Sequence, residues 1–307
     1  MSLLVVDHVT KRFRDITATN DVSFTVEPGR IFGLLGPNGA GKTTMIRMLT
    51  NIFVPDEGRI TMFGDLVGPA QQNRIGYLPE ERGLYKKMKV GEQLIYFGQL
   101  KGLSRPDALR QTMKWLERLE AKDWFNKKID ELSKGMQQKV QFIATVLHEP
   151  DLIILDEPFT GFDPINAEIL QRLVLELKAQ NRTIILSSHR MEQVEKLCDD
   201  ICLINHGRAV LVGTVRNIKA QYGRDTVQLE FEGSDEFLNK LENVKIIERS
   251  GHFAELRLLN GASAQDVLKS AMGQANIFRF EIVEPSLNEI FINVVSNGTN
   301  LGAEAVA

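Results

Sequence analysis

Short apolar runs separated by turn formers dominate the first part of the chain. Residues 3–6, 22–26 and 31–35 read as strands, with Asp15, Asn20, Pro28 and Gly29 between them. Segments 58–62 and 74–77 read as two more. Between about 81 and 141 the apolar spacing becomes helical, as in Leu94, Ile95, Phe97 and Leu100, then Leu109, Met113, Leu116 and Leu119, which predicts a helical insertion. A β-prone run at 152–155, an amphipathic helix at 165–180 and a buried strand at 183–187 follow. Strands alternating with helices predict an α/β core built on a parallel sheet.

Past residue 222 the rhythm shortens. Strand 226–231, helix 235–241, strands 244–248 and 253–259, helix 264–271 and strand 277–283 give the order βαββαβ, which predicts a ferredoxin-like α+β module, followed by a helix at 287–295. The reading is therefore 1–223 as one domain with a helical subdomain at about 81–141, 224–295 as a small accessory domain, and 296–307 as a flexible tail of small and polar residues.

Composition supports two folded domains. At about 150 residues per domain, 307 residues suit two, each able to bury a core. The 43% hydrophobic and 25% charged fractions exclude a disordered polyelectrolyte. No apolar run approaches the length of about 18 residues that a bilayer crossing requires, and the N-terminus lacks the pattern of a secretory leader, so a cytoplasmic location is expected. The net charge of −3 gives no electrostatic reason for a nucleic-acid partner. It conceals a split, because seven basic and thirteen acidic residues lie from Arg224 onward and the preceding part is mildly basic. Cys198 and Cys202 lack the companions of a disulfide framework or zinc site and read as small buried residues.

The chemistry begins at Gly36-Pro37-Asn38-Gly39-Ala40-Gly41-Lys42-Thr43, which fits G-x-x-x-x-G-K-[ST] between a strand and a helix. Such a loop curls backbone N–H groups around a β-phosphate at a helix N-terminus, Lys42 neutralises the β- and γ-phosphates, and Thr43 offers a hydroxyl to Mg²⁺. The strand ending in Asp156-Glu157 supplies the carboxylates such a site needs, Asp156 for the metal and Glu157 to polarise an attacking water.

With these motifs in place the chain resembles the ATP-binding subunits of ABC transporters. Leu132-Ser133-Lys134-Gly135-Met136 is similar to the family's LSGGQ signature loop, with Lys134 and Met136 in place of Gly and Gln. The resemblance implies that Ser133 and Gly135 bind the γ-phosphate of an ATP held by a second copy's P-loop, in a head-to-tail dimer. It likewise implies ATP binding by residues 36–43 and Thr44, a switch role for His189 and stacking of adenine on Phe13. Both of the last two residue types are also common structural choices at a strand end or in a core. Thr160-Gly161-Phe162-Asp163-Pro164 corresponds to the D-loop, although from sequence alone an ordinary turn into a helix with Pro164 at its first position is the better reading. Glu80 stands where the family usually has Gln, and is expected to ligate Mg²⁺ together with Thr43 and Asp156.

The LPEERGLY and LSKGMQQK patterns, and Pro285-Ser286-Leu287 leading to Ile290-Phe291, are similar to an export-type subgroup with a small C-terminal domain. That resemblance implies an integral membrane permease as partner, peripheral association with the inner face of the membrane, and sodium ion or an antimicrobial compound as cargo. A soluble ABC ATPase acting on ribosomes or DNA fits less well, since one P-loop and no sustained heptads are present. A small-molecule P-loop kinase would not need the signature loop.

Overall fold

The computed structural model describes residues 2–81, 83–222 and 225–297. They form two compact units, divided between Thr214 and Val215.

The first unit begins with a hairpin, β1 (Leu4–Phe13) and β2 (Ile16–Val26), followed by β3 (Ile31–Leu35), α1 (Lys42–Leu49), β4 (Glu57–Met62), the two-residue β5 (Asp65–Leu66) and β6 (Ile75–Leu78). The helical insertion carries α2 (Val90–Leu100), α3 (Arg105–Arg118) and α4 (Lys134–Val146). Strand β7 (Leu152–Asp156), helix α5 (Pro164–Ala179), strand β8 (Thr183–Ser188), helix α6 (Met191–Leu197), and strands β9 (Asp200–Asn205) and β10 (Arg208–Thr214) complete it. The hairpin strands run much longer than apolar content alone predicts. Asn20, expected in a turn, lies within β2, because β1 and β2 extend past their buried ends through polar, bulged pairs such as Lys11 with Thr19.

The main sheet has the order β10-β9-β3-β8-β7-β6. Its strands β9, β3, β8, β7 and β6 are parallel, and β10 is antiparallel to β9. Every residue of β3, β7 and β8 is buried, as strands covered on both faces must be. A second sheet, β2-β1-β4-β5, is antiparallel. One apolar cluster joins the two sheets to α1: Val6, Val22 and Phe24 meet Phe32, Leu34 and Ile154 together with Met45 and Ile46. Phe24 stacks on Phe32 with ring centres 5.0 Å apart. Cys198 and Cys202 are buried and free, and burial pushes the Cys202 thiol up to about 12.

The second unit comprises α7 (Val215–Gln221), β11 (Thr226–Gly233), β12 (Val244–Ser250), β13 (Phe253–Leu258), α8 (Ala264–Ala271), β14 (Ala275–Val283) and α9 (Leu287–Asn297). Its sheet order, β12-β13-β11-β14, is antiparallel throughout and matches a ferredoxin-like α+β arrangement. The expected helix at 235–241 is a short 3₁₀ turn, Glu236–Lys240, whose Phe237 and Leu238 are nevertheless buried against Phe231 and Val267. Helix α9 extends into the segment expected to be a flexible tail, and residues 298–307 lie outside the described residues. Among the described residues no helix is long and apolar enough to cross a membrane.

Candidate active site

The site is assembled where the parallel strands end. Leaving β3, the chain turns sharply at Gly36, whose φ of 147° puts it in a region that favours glycine, and a Cβ there would collide with the Ile204 carbonyl oxygen. Gly39 has φ 79°, and a Cβ there would meet nothing within 4 Å, so it faces open space on the concave side of the loop. Residues 38–44 then line a cleft of about 480 Å³. The carbonyl oxygens of Gly36 and Pro37, which do not line it, accept from Lys42 Nζ at 2.7 and 3.1 Å. Lys42 is 5% exposed, and an ammonium so buried requires partners of this kind.

Strand β7 delivers Asp156, 2% exposed, to the same end of the sheet. Its Oδ1 accepts from the Ser187 hydroxyl at 2.5 Å, and the same hydroxyl accepts from the Glu157 backbone N–H at 2.9 Å. Burial raises the Asp156 carboxyl above its usual range, the Ser187 bond opposes this, and the Glu157 charge adds to it. Among the described residues Asp156 Oδ2 is buried with no partner at good hydrogen-bond geometry, although the nearby Thr43 hydroxyl also opposes the rise of the Asp156 carboxyl. Glu157 adopts a left-handed backbone conformation, φ 48°, uncommon for a residue with a side chain and costing about 1 kcal/mol. That turn points its carboxylate into the cleft. Glu157 Oε1 lies 3.0 Å from His189 Nδ1 and 3.6 Å from Lys42 Nζ.

Glu80, at the loop after β6, lines the cleft beside Thr43 and Glu157. The Asp156 and Glu80 carboxylates and the Thr43 hydroxyl are oxygen donors of the kind Mg²⁺ takes, near an open loop of backbone amides suited to phosphate, although no group of three or more His, Cys, Asp or Glu among the described residues is arranged to hold a metal. The residues present thus fit a nucleotide with its divalent ion.

The structure brings together residues 38–44, Glu80, Asp156, Glu157 and His189. Ser133 and Gly135 are not among the residues that line this cleft. Ser133 caps α4, its hydroxyl accepting from the Met136 amide at 3.3 Å, and Gly135 lies in the first turn. Phe13 ends β1, 40% exposed, with its ring edge-on to Phe53 at 5.2 Å; it is not among the cleft residues, whereas Ile16, Thr17 and Ala18 of the same hairpin are. Asp163 caps α5, accepting from the Asn166 amide at 3.0 Å, with Pro164 at the first helical position.

Besides Ile16, Thr17 and Ala18, sequence reading missed Ser187, His206 and Gly207. Ser187 carried a signal, a hydroxyl at the end of a buried strand. His206 and Gly207, in the turn between β9 and β10, line the cleft, and Gly207 binds the P-loop through its N–H to the Ala40 carbonyl at 2.9 Å. Nothing local in their sequence pointed to the cleft.

Residues 19–160 match the ABC transporter family model, and 213–295 match the C-terminal domain of DrrA1-3-like ATP-binding proteins. An uncharacterized ABC transporter ATP-binding protein, YhaQ of Bacillus subtilis (strain 168), is 43% identical over 95% of this chain and 98% of its own. The linearmycin resistance ATP-binding protein LnrL of the same organism is 32% identical over 95% and 98%, and the Nod factor export ATP-binding protein I of Rhizobium sp. (strain N33) is 35% identical over 96% and 98%. A solved ATP-binding subunit of an ABC transporter superposes with a TM-score of 0.68, at 32% identity, over 72% of this chain and 94% of that one. Together with a P-loop and carboxylate pair set at the ends of a parallel sheet, these similarities place the chain in the family of ATP-binding, ATP-hydrolysing subunits of ABC transporters.

Proposed function

We propose that this chain drives a membrane exporter, working as a head-to-tail pair on a separate integral membrane permease. The observation that carries the catalytic assignment is the placement of the Glu157 carboxylate between His189 and Lys42 at the mouth of the phosphate loop.

In this reading the amides of residues 38–44 and the Lys42 ammonium hold the triphosphate, and Phe13 stacks on the adenine. Thr43, Asp156 and Glu80 hold Mg²⁺, which when bound offsets the charge of the phosphate oxygens. Glu157 orients a water and accepts its proton. His189 donates a ring N–H toward the γ-phosphate. Ser133 and Gly135 of one copy meet the γ-phosphate at the other copy's P-loop, so each site is completed only by its partner. That neither lines the chain's own cleft supports that arrangement.

Export is favoured by the relatives named for linearmycin resistance and Nod factor export, which align over nearly the whole chain. Coupling through a permease also accounts for a transport protein whose described helices are too short and polar to cross a bilayer, and locates it at the inner face of the membrane. Sodium ion or an antimicrobial compound remains the proposed cargo. The test is expression with the neighbouring permease: the two should co-purify from membranes, and the candidate cargo should stimulate phosphate release. An ATPase recovered free of membranes, with activity indifferent to any permease, overturns the exporter reading. Replacing Glu80 by Gln tests the metal assignment, which predicts a raised Mg²⁺ concentration for half-maximal activity.

A further inference from the structure

Helix α4 presents a glutamine to the segment that carries Glu80. Gln141 is 6% exposed, and its side-chain amide Nε2 donates to the carbonyl oxygens of Pro79 at 3.2 Å and Glu81 at 3.1 Å. These carbonyls flank Glu80 on both sides. One turn earlier on α4, Gln138 Nε2 donates to the Thr160 carbonyl at 2.6 Å, in the loop that follows Glu157. Residues three apart share a helix face. Glu80, Asp156, Glu157, Gln138, Gln141 and Thr160 accordingly line one cleft, of about 390 Å³.

We propose that Gln141 is a positioning residue for ATP hydrolysis: by clasping the carbonyls on either side of Glu80, it fixes that carboxylate at the phosphate cleft and ties it to the helix headed by Ser133. Segment 79–81 has left β6 and has no sheet neighbour to hold it, since β6 ends at Leu78. A two-carbonyl clasp from a buried amide supplies the restraint that a strand would otherwise give. A displacement of α4, whose N-terminus carries Ser133 and Gly135, is transmitted to the residues on either side of Glu80 through this side chain. The inference rests on the reading above in taking Glu80 to act at the bound nucleotide.

The test uses the full-length chain. Gln141→Met keeps length and helix propensity and removes the donor; Gln141→Glu keeps the shape and, when ionised, also lacks the donor. Gln138→Met is the control on the same helix face. Amide hydrogen exchange of segment 77–81 without nucleotide reads the clasp directly, and kcat and KM for ATP read its consequence. Loss of the clasp is expected to speed exchange about tenfold in both Gln141 variants, roughly the net worth of one to two hydrogen bonds. A kcat about tenfold lower is expected with KM for ATP within about twofold, because the phosphate loop is untouched. Unchanged exchange overturns the proposal. So does faster exchange with unchanged kcat, which leaves a merely structural bond, and so does equal acceleration by Gln138→Met, which shows general loosening of α4. Should Glu80→Gln leave the Mg²⁺ requirement unaltered, the metal assignment falls while the exchange and kcat results still decide the clasp.

Discussion

His189 Nδ1 lies 3.0 Å from Glu157 Oε1, at the end of two adjacent parallel strands. The pair meets at ion-pair distance without a hydrogen bond of good geometry, so among the described residues the buried Glu157 oxygen has no competing donor and can accept from a positioned water. Glu157→Gln preserves shape and removes the base. Phosphate release should fall at least about 100-fold, the lower end of what a general base contributes, while ATP affinity stays near that of the parent. Because binding persists without turnover, ATP should trap a dimer visible by size-exclusion chromatography. A variant that stays monomeric with ATP would contradict the shared-site reading.

Ser187 joins the two carboxylate residues, donating to Asp156 and accepting from the Glu157 amide. Ser187→Ala removes both bonds and leaves a buried carboxylate oxygen and a backbone N–H unpaired, for a loss of about 1–3 kcal/mol in urea unfolding. The Glu157 turn also loses its anchor, so kcat should fall along with stability. Unchanged stability and activity would mean that water replaces the hydroxyl at no cost.

How much of this site was legible beforehand depends on whether its parts are local. The P-loop from Gly36 to Thr43 and the Asp156-Glu157 pair are contiguous motifs at strand ends, and a strand-to-helix pattern suffices to place them. Ser187, Gly207 and Gln141 are single residues brought to the cleft by parallel pairing and helix packing between segments far apart in the chain. No spacing rule encodes those contacts. The same limit explains the hairpin, where the polar halves of β1 and β2 are held by pairing with each other and so show no apolar signature. In the accessory unit, the buried Phe237 and Leu238 signalled packing correctly, but within the link from Gly233 to Val244 only Glu236–Lys240 closes, as a 3₁₀ turn in place of a full helix.

Two glycines of the phosphate loop should respond differently to alanine. At Gly36 a methyl group runs into the Ile204 carbonyl, a backbone atom that cannot move aside without disturbing β9. Gly36→Ala should therefore destabilise the first unit by about 3 kcal/mol or more, adding steric displacement to backbone strain. Gly39→Ala meets open space, so its cost is limited to the positive φ, about 1 kcal/mol. Its methyl intrudes on the phosphate cradle, so ATP affinity should drop more than stability. Thermal unfolding and nucleotide titration of the two variants separate these effects.

His148 provides a pH test remote from the carboxylates. Its Nε2 lies 3.2 Å from the Ile75 carbonyl, and burial, together with the nearby Lys101 ammonium, pushes its pKa down to about 4 from 6.5. The folded state therefore resists a proton that the unfolded chain accepts. The associated stability is fully present above pH 6.5 and is lost as pH falls toward about 4, with no further loss below. A shift of this size corresponds to about 3 kcal/mol at most. His148→Gln retains a donor for the Ile75 carbonyl and does not titrate. The stability difference between parent and variant, from urea unfolding at pH 7 and pH 4.5, should shift by about 2 kcal/mol in favour of the variant at the lower pH. A difference independent of pH would show that His148 takes up its proton as readily in the fold as in the open chain.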